Sequence, residues 1–262
     1  MPFGRPGGHS RLMRRLVGVW RLLRVLVHGL HGLVIVLLRF PSADAAMRHA
    51  RIRWWSAKLL RLMGLALHVS GVSPRPGAKL VVANHVSWLD IASIHAVVPE
   101  AHFVSKADVK GWPLIGRLVS GAGTLFIERE KKRDALRVVH QMAAALQGGD
   151  TVAVFPEGTT GDGHRLLPFH ANLLQAAIAT ATPVQPVVLR YFDDAHAVSP
   201  LATFLGETTL AQSLWRFLCA RGLCIEVHVL ATEGTAHADR RALAEHLRQV
   251  IAQHLPQEDG QA

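Results

Sequence analysis

Short apolar runs alternate with helix-compatible segments over most of the chain. Runs that favour strands lie at residues 80–83, 102–105, 125–128, 151–155, 184–191 and 224–230. Helical spacing of apolar residues falls at 87–98, 130–146, 172–180, 210–219 and 237–254. Strands that are nearly continuous in Val, Ile and Leu, separated by helices, are typical of a sheet buried on both faces. We therefore predict the α/β class, with a mixed, largely parallel sheet flanked by helices.

The N-terminal quarter has a different pattern, in which arginines interrupt long apolar runs. Residues 1–10 are rich in Gly and Pro, which predicts disorder. The longest charge-free run, 25–38, is shorter than the ~20 apolar residues of a simple membrane span. Pro41 ends this segment, and Ser42 is a candidate N-cap of a second helix that reaches about residue 63. We expect a basic two-helix membrane-surface anchor at 11–70, followed by an α/β domain at 71–262 that opens with the turn-rich stretch 71–78.

Charge supports this division of the chain. The net charge is +10, and residues 1–61 hold 12 Lys and Arg against a single acid, Asp44. Cationic side chains beside Trp and Leu suit a helix at an anionic lipid surface, on the cytoplasmic side. Two other interpretations remain: the helices pack on the domain with solvated arginines, or the segment binds nucleic acid. No recognised nucleic-acid motif occurs, so we expect no nucleic-acid partner.

The two cysteines, Cys219 and Cys224, lie in an apolar helix-to-strand region. We predict that both are reduced core residues rather than a disulfide or a metal pair.

A polar cluster follows the strand predicted at 80–83. His85 lies at the turn from strand to helix, and Asp90 falls in the first helical turns after it. A carboxylate beside a histidine fixes its tautomer and stabilises the imidazolium, which is how a protein makes a general base. A histidine and an aspartate five residues apart are weak evidence alone, because a structural histidine near a strand end is commoner.

Three further clusters also lie at or near predicted strands. One is the polar, Gly-containing stretch 155–160, and another ends in Arg129, whose guanidinium suits bidentate binding of a phosphate. Arg129 could instead be a solvated member of the charge run 128–133. The last contains Pro183 and Pro186, and prolines inside a strand suggest an edge, a bulge or a pocket wall. Because loops at the carboxyl ends of parallel strands meet at one edge of a sheet, we expect these clusters to share a crevice.

In this order the four clusters resemble the glycerophospholipid acyltransferase family, specifically its 1-acyl-glycerol-3-phosphate acyltransferase branch. The family's first motif, Asn-His-x4-Asp, is matched by Asn84, His85 and Asp90. The second, Gly-x2-Phe-Ile-x-Arg, is matched by Gly123, Phe126, Ile127 and Arg129, the third by residues 155–159, and the proline of the fourth by Pro186. The likeness covers residues 55–191 well and the C-terminal third loosely.

The resemblance implies a reaction and its partners. His85 is expected to take the proton of a lyso-lipid hydroxyl as that oxygen attacks the thioester of acyl-CoA or acyl-carrier protein, and Asp90 to orient His85. The acceptor is expected to be 1-acyl-glycerol-3-phosphate, giving phosphatidic acid, at the cytoplasmic face of the inner membrane with residues 11–63 as the anchor. No metal or other cofactor is implied. The residues expected to bind substrate are Asn84, Lys106, Gly123, Phe126, Arg129, Phe155, Pro156, Glu157, Gly158, Thr159 and Pro186.

One departure from the family pattern affects the acceptor. Many members have Phe-Lys-Gly or Phe-Arg-Gly after the third motif, whereas this chain has Phe169, His170 and Ala171. The missing cation makes another headgroup, such as that of a lyso-ornithine lipid, an alternative. A non-catalytic lipid-binding protein and a thioesterase or phospholipase are further alternatives, although the Gly-x-Ser-x-Gly elbow of serine hydrolases does not occur.

Overall fold

A computed structural model of the chain describes residues 9–106, 111, 115–121, 123–127, 132–236 and 239–256. Within these residues seven strands form one sheet, in the order β1-β7-β6-β2-β5-β3-β4. The strands are β1 (Ala66–Gly71), β2 (Lys79–Ala83), β3 (Ala101–Lys106), β4 (Leu125–Ile127), β5 (Thr151–Val154), β6 (Val184–Phe192) and β7 (Cys224–Val229). Strands β2 to β6 run parallel to one another, whereas β7 pairs antiparallel with β6 and β1 runs parallel to β7. The carboxyl ends of five strands therefore meet at one edge.

Helices cover both faces of the sheet, which confirms the predicted fold class. They are α1 (His9–Val34), α2 (Ala45–Met63), α3 (Asp90–His95), α4 (Ile115–Gly121), α5 (Lys132–Gln147), α6 (Gln175–Ala179), α7 (Leu210–Cys219) and α8 (Arg240–Ala252). Strand β2 is buried throughout, because Val81 and Ala83 join the core cluster under α2, α3 and α7 while Leu80 and Val82 join the cluster under α5, α6 and α8. The sheet is thus the middle of three layers, and β2 lies at its centre.

The N-terminal helices form a hairpin that packs on the first of these faces. Helix α1 continues through a π-helical turn (Ile35–Arg39) and a 3₁₀ turn (Phe40–Ser42) before α2 begins. The ring of His28 stacks on Trp55 at 4.9 Å, and each of these two side chains hydrogen-bonds the other's backbone carbonyl. By length and composition, the helical stretch Arg11–Ser42 could cross a membrane, and only 17% of its most apolar window is buried.

Three predictions about local structure were wrong. Asp44, not Ser42, caps α2 by accepting a hydrogen bond from the Met47 N–H at 2.7 Å. The helix predicted from residue 87 begins at Asp90, because residues 87–89 form a turn in which the Asp90 N–H donates to the Ser87 carbonyl. The segment predicted as one helix at 172–180 divides into a 3₁₀ turn (Ala171–Leu174) and α6.

Of the two prolines predicted to lie in one strand, Pro186 is in β6 and Pro183 directly precedes it. The strand is central rather than at an edge, because β6 lies between β2 and β7. Pro186 accepts a hydrogen bond from the Leu230 N–H, and Val184 pairs with Glu233. Leu230 and Glu233 are three residues apart, whereas Pro186 and Val184 are two apart. The extra residue forms a bulge beside the proline. Strand β1 was not predicted from the sequence. It ends at Gly71, where the turn-rich stretch begins, and it is the edge strand opposite β4.

Candidate active site

His85 and Asp90 meet at the carboxyl edge of β2. The His85 Nδ1 lies 2.8 Å from Asp90 Oδ2, and the imidazole is 20% exposed while the carboxylate is fully buried. A buried carboxylate accepts from Nδ1–H, so Nε2 is the ring nitrogen that carries the lone pair. This arrangement can accept a proton from a hydroxyl at the sheet edge.

Among the described residues, four groups donate hydrogen bonds to the Asp90 carboxylate, the first of which is the His85 ring. Its Oδ2 also accepts the N–H groups of Val86 at 2.7 Å and Ser87 at 2.9 Å. Its Oδ1 accepts the hydroxyl of Tyr191 at 2.7 Å, from β6. Burial first, then the charge of Asp90 and the hydrogen bond to it, raise the pKa of Tyr191 well above 10.0, so the phenol remains a donor. These donors compensate the buried negative charge and fix the orientation of the carboxylate.

Tyr191 was not singled out in the sequence, and little in the sequence marks it. It is the one tyrosine of the chain and stands near the end of the strand that begins at the fourth motif. Its contact spans 101 residues, so only the pairing of β6 with β2 brings it to Asp90.

Aromatic rings form the floor beneath the histidine. The His85 ring stacks on Phe155 with centroids 4.1 Å apart and planes 9° from parallel, and Phe155 stacks in turn on Phe103 at 5.6 Å. Phe155 follows β5, the neighbour of β2, so the first and third motifs meet as expected. The stack restricts rotation of the imidazole about its hydrogen bond to Asp90.

Glu157 joins the first motif to the loop after β5. Its Oε1 accepts the His85 N–H at 2.8 Å, and its Oε2 accepts the Leu167 N–H at 2.9 Å. The residue is only 5% exposed, and burial raises its pKa against the lowering effect of the N–H groups of Leu167 and His85. Both oxygens of this side chain are therefore occupied in fixing the backbone around His85.

Gly158, Thr159 and Pro156 shape the rest of this loop. Gly158 has φ +74°, and a Cβ there would lie 2.9 Å from Cδ2 of the His170 ring. The His170 N–H donates to the Pro156 carbonyl at 2.8 Å. Thr159 is exposed and Pro156 is buried. The residue that replaces the family's cation thus lies directly against the third motif.

Asn84 is buried, and its amide is used within the fold. Its Nδ2 donates to the Leu189 carbonyl at 3.0 Å, and its Oδ1 accepts the Leu189 N–H at 2.7 Å. The side chain therefore extends the pairing of β2 with β6 by one step, and it holds the turn that carries His85 against the sheet.

The described part of the second motif lies on and just before β4, at the far side of the sheet from β1. Gly123, with φ +78°, precedes β4, and a Cβ there would lie 2.8 Å from the ring of His102. Strand β4 carries Phe126 and pairs with β3, which ends at Lys106. Arg129 lies outside the described residues, so its assignment stays a prediction. In the described part of the chain, no three His, Cys, Asp or Glu residues are grouped to hold a metal ion.

Comparison with known proteins places these features in a family. Residues 66–190 match the family model described as Acyltransferase. A lyso-ornithine lipid O-acyltransferase of Pseudomonas aeruginosa is 36% identical over 242 residues, which cover 91% of this chain and 92% of that protein. A 1-acyl-sn-glycerol-3-phosphate acyltransferase of Neisseria gonorrhoeae is 36% identical over 194 residues, which cover 73% of this chain and 75% of that protein.

A solved structure shares the fold. The crystal structure of the 1-acyl-sn-glycerophosphate acyltransferase of Thermotoga maritima superposes with a TM-score of 0.70 at 19% sequence identity, covering 93% of this chain and 95% of that one.

Proposed function

The chain belongs to the acyltransferase family, and we propose that it moves an acyl chain from an acyl thioester to the hydroxyl of a lyso-lipid. The observation that carries this proposal is the His85–Asp90 pair, with Nδ1 held at 2.8 Å by a buried carboxylate at the edge where five strands end. The thioester is that of acyl-CoA or acyl-carrier protein. When the hydroxyl of the acceptor lies within hydrogen-bond distance of Nε2, His85 can act as its general base.

The reaction proceeds without a covalent acyl-enzyme. His85 Nε2 takes the hydroxyl proton as the lipid oxygen forms a bond to the thioester carbonyl carbon, and Asp90 stabilises the imidazolium. The tetrahedral intermediate then expels the thiolate, which receives the proton back from His85, so the products are the acylated lipid and the free thiol. General-base help of this kind contributes roughly 10²–10⁴-fold, and positioning supplies much of the remainder.

For the acceptor, we propose 1-acyl-glycerol-3-phosphate, with phosphatidic acid as the product. Arg129 and Lys106 are assigned to its phosphate. Lys106 is the last residue of β3, Arg129 comes two residues after β4 in the sequence, and both strands run parallel to β2, which leads to His85. Gly123, Phe126, Phe155, Gly158 and Thr159 are assigned to the walls of the acceptor site.

A lyso-ornithine lipid is a second candidate acceptor, favoured by two observations. His170 lies against Gly158, and it stands where the family pattern described above has Lys or Arg in many members. The lyso-ornithine lipid O-acyltransferase of Pseudomonas aeruginosa also matches a larger share of this chain than the Neisseria gonorrhoeae protein does.

We propose that the enzyme acts at the cytoplasmic face of the inner membrane, anchored by residues 11–63. Supporting this placement, large apolar side chains of α1 are exposed, including Leu26 at 51% and Leu30 at 57%, among flanking arginines. An apolar helix face bordered by cations suits the headgroup boundary of an anionic membrane.

The test is transfer of a labelled acyl chain from acyl-CoA or acyl-carrier protein to each acceptor, separated by mass spectrometry. We expect His85→Ala to lose about 10²-fold or more of the activity. His140→Ala, at an exposed position on α5, is the matched control and is expected to retain it. Normal transfer by a folded His85→Ala enzyme would refute the mechanism. Free fatty acid released without acceptor would indicate a thioesterase, and lipid binding without transfer would indicate a binding protein.

A further inference from the structure

An open groove runs between α1 and α2, and its lining includes no residue that contacts His85 or Asp90. It encloses about 400 Å³ and is lined by Trp20, Leu23, Arg24, Val27, His28, His31, Lys58 and Leu62. We call it the hairpin groove. Four of these side chains are apolar, and the cations Arg24 and Lys58 lie on opposite helices, so the groove combines a hydrophobic surface with two positive charges.

Both cations of the hairpin groove lack an acidic neighbour on the helices that form it. Arg24 lies over the Trp20 ring at 5.9 Å, and Lys58 lies over the Trp54 ring at 4.7 Å. Between residues 9 and 63 the sequence contains one acid, Asp44, and its carboxylate caps the start of α2. Two cations held by indole faces, with no ion pair to a carboxylate in the described part of the chain, are arranged to receive an anion.

The surroundings of the groove identify the anion as part of a lipid. Leu23 and Val27 line the groove and are 52% and 67% exposed, and the exposed apolar face continues along α1 to Leu30 and Val34. A small soluble anion would leave this surface in water. A phospholipid with its phosphate between Arg24 and Lys58 would cover the surface with its acyl chains, at a low cost because the hairpin is already formed.

We propose that the hairpin groove binds the phosphate of an anionic membrane phospholipid that is not a reactant. The site is separate from the acceptor site at His85. This inference rests on the proposed action at a membrane surface. It adds a defined contact between the hairpin groove and one lipid headgroup.

The test compares two variants with the same change in charge. Arg24→Gln/Lys58→Gln removes the groove cations, and Arg48→Gln/Arg51→Gln removes two exposed cations of α2 outside the groove. Binding of the full-length protein is measured by flotation with vesicles of phosphatidylcholine, with and without phosphatidylglycerol. Each variant loses two charges that the anionic surface attracts, and this loss alone lowers its vesicle binding by roughly 30-fold. We expect the groove variant to lose a further factor on the order of ten, from its charge-assisted hydrogen bonds, in vesicles that contain phosphatidylglycerol.

Equal losses for the two variants would overturn the groove site and leave only diffuse attraction. Acyl transfer measured in detergent micelles separates this outcome from failure of the proposed function. The groove variant is expected to keep that activity, because neither residue is among the contacts of His85 and Asp90. If the wild-type protein transfers no acyl chain, the vesicle binding still decides whether the groove site exists.

Discussion

At the residue scale, the hydroxyl of Tyr191 is the donor to Asp90 that a single substitution can remove cleanly. Tyr191→Phe leaves Oδ1 of a buried carboxylate without that partner, which costs about 1–3 kcal/mol. We expect the free energy of unfolding to fall by this amount and kcat to fall roughly tenfold, with KM little changed, because the substrate is not touched. Urea unfolding and steady-state kinetics measure the two effects.

A double-mutant cycle separates positioning from general destabilisation. If Tyr191 acts through Asp90, its substitution has little further effect on kcat in an Asp90→Asn background. An equal fractional loss in both backgrounds would show that the tyrosine merely supports the core.

Glu157 provides a pH-dependent test at the same scale. Because burial raises its pKa above 4.5, its contribution to stability is complete below about pH 4.5 and is lost as the pH rises through the raised value. We expect Glu157→Gln, which cannot accept both the His85 and Leu167 N–H groups, to be less stable by about 1–3 kcal/mol at pH 4.5. The difference in the free energy of unfolding between Glu157→Gln and the wild-type protein should become smaller toward neutral pH, as measured by chemical denaturation. Glu207→Gln, at an exposed position, is the control. A deficit that widens with pH would mean that the pKa is lowered instead.

At the scale of the elements, the sequence predicted most of what depends on local periodicity. Helix α7 begins and ends at the predicted residues, and six predicted runs became strands. Strand β1 was not predicted, because its residues follow an apolar helix and only Gly64, at φ +90°, marks the end of that helix. The four motifs suggested a shared edge, but whether a side chain lines a crevice or braces a loop depends on long-range pairing. The buried contacts of Asn84 and Glu157 therefore emerged only in the fold.

Close packing of α1 on α2 is tested at Gly32. A Cβ there would contact the indole of Trp55 and lie 3.1 Å from Leu118 of α4. We expect Gly32→Val to lower the free energy of unfolding by about 1–3 kcal/mol, because overpacking outweighs the better helix propensity of valine. Leu30→Val, on the exposed face of α1, should change it by less than about 0.5 kcal/mol. Unchanged stability of Gly32→Val would mean that the hairpin is loose in solution.

At the scale of the whole molecule, the basic hairpin and the candidate active site lie on the same face of the sheet. Leu22 and Val25 of α1 pack against the core cluster that contains Val86 and Leu89, which flank the site. Arg21 of α1 donates to the carbonyls of Leu218 and Ala220, where α7 ends. The hairpin is therefore part of the folded domain, although its outer face is free to contact lipid.

This arrangement predicts two separable components of membrane binding. Salt screens the attraction between the basic hairpin and anionic lipids, whereas insertion of the exposed apolar face of α1 is not screened. In a flotation assay against increasing NaCl, we expect vesicle binding to fall and then level off above zero. Leu26→Gln/Leu30→Gln should remove the salt-resistant part, while Leu136→Gln/Leu205→Gln, at exposed positions outside the hairpin, should retain it. Complete release of the wild-type protein at high salt would mean that α1 only covers the domain and does not enter the lipid.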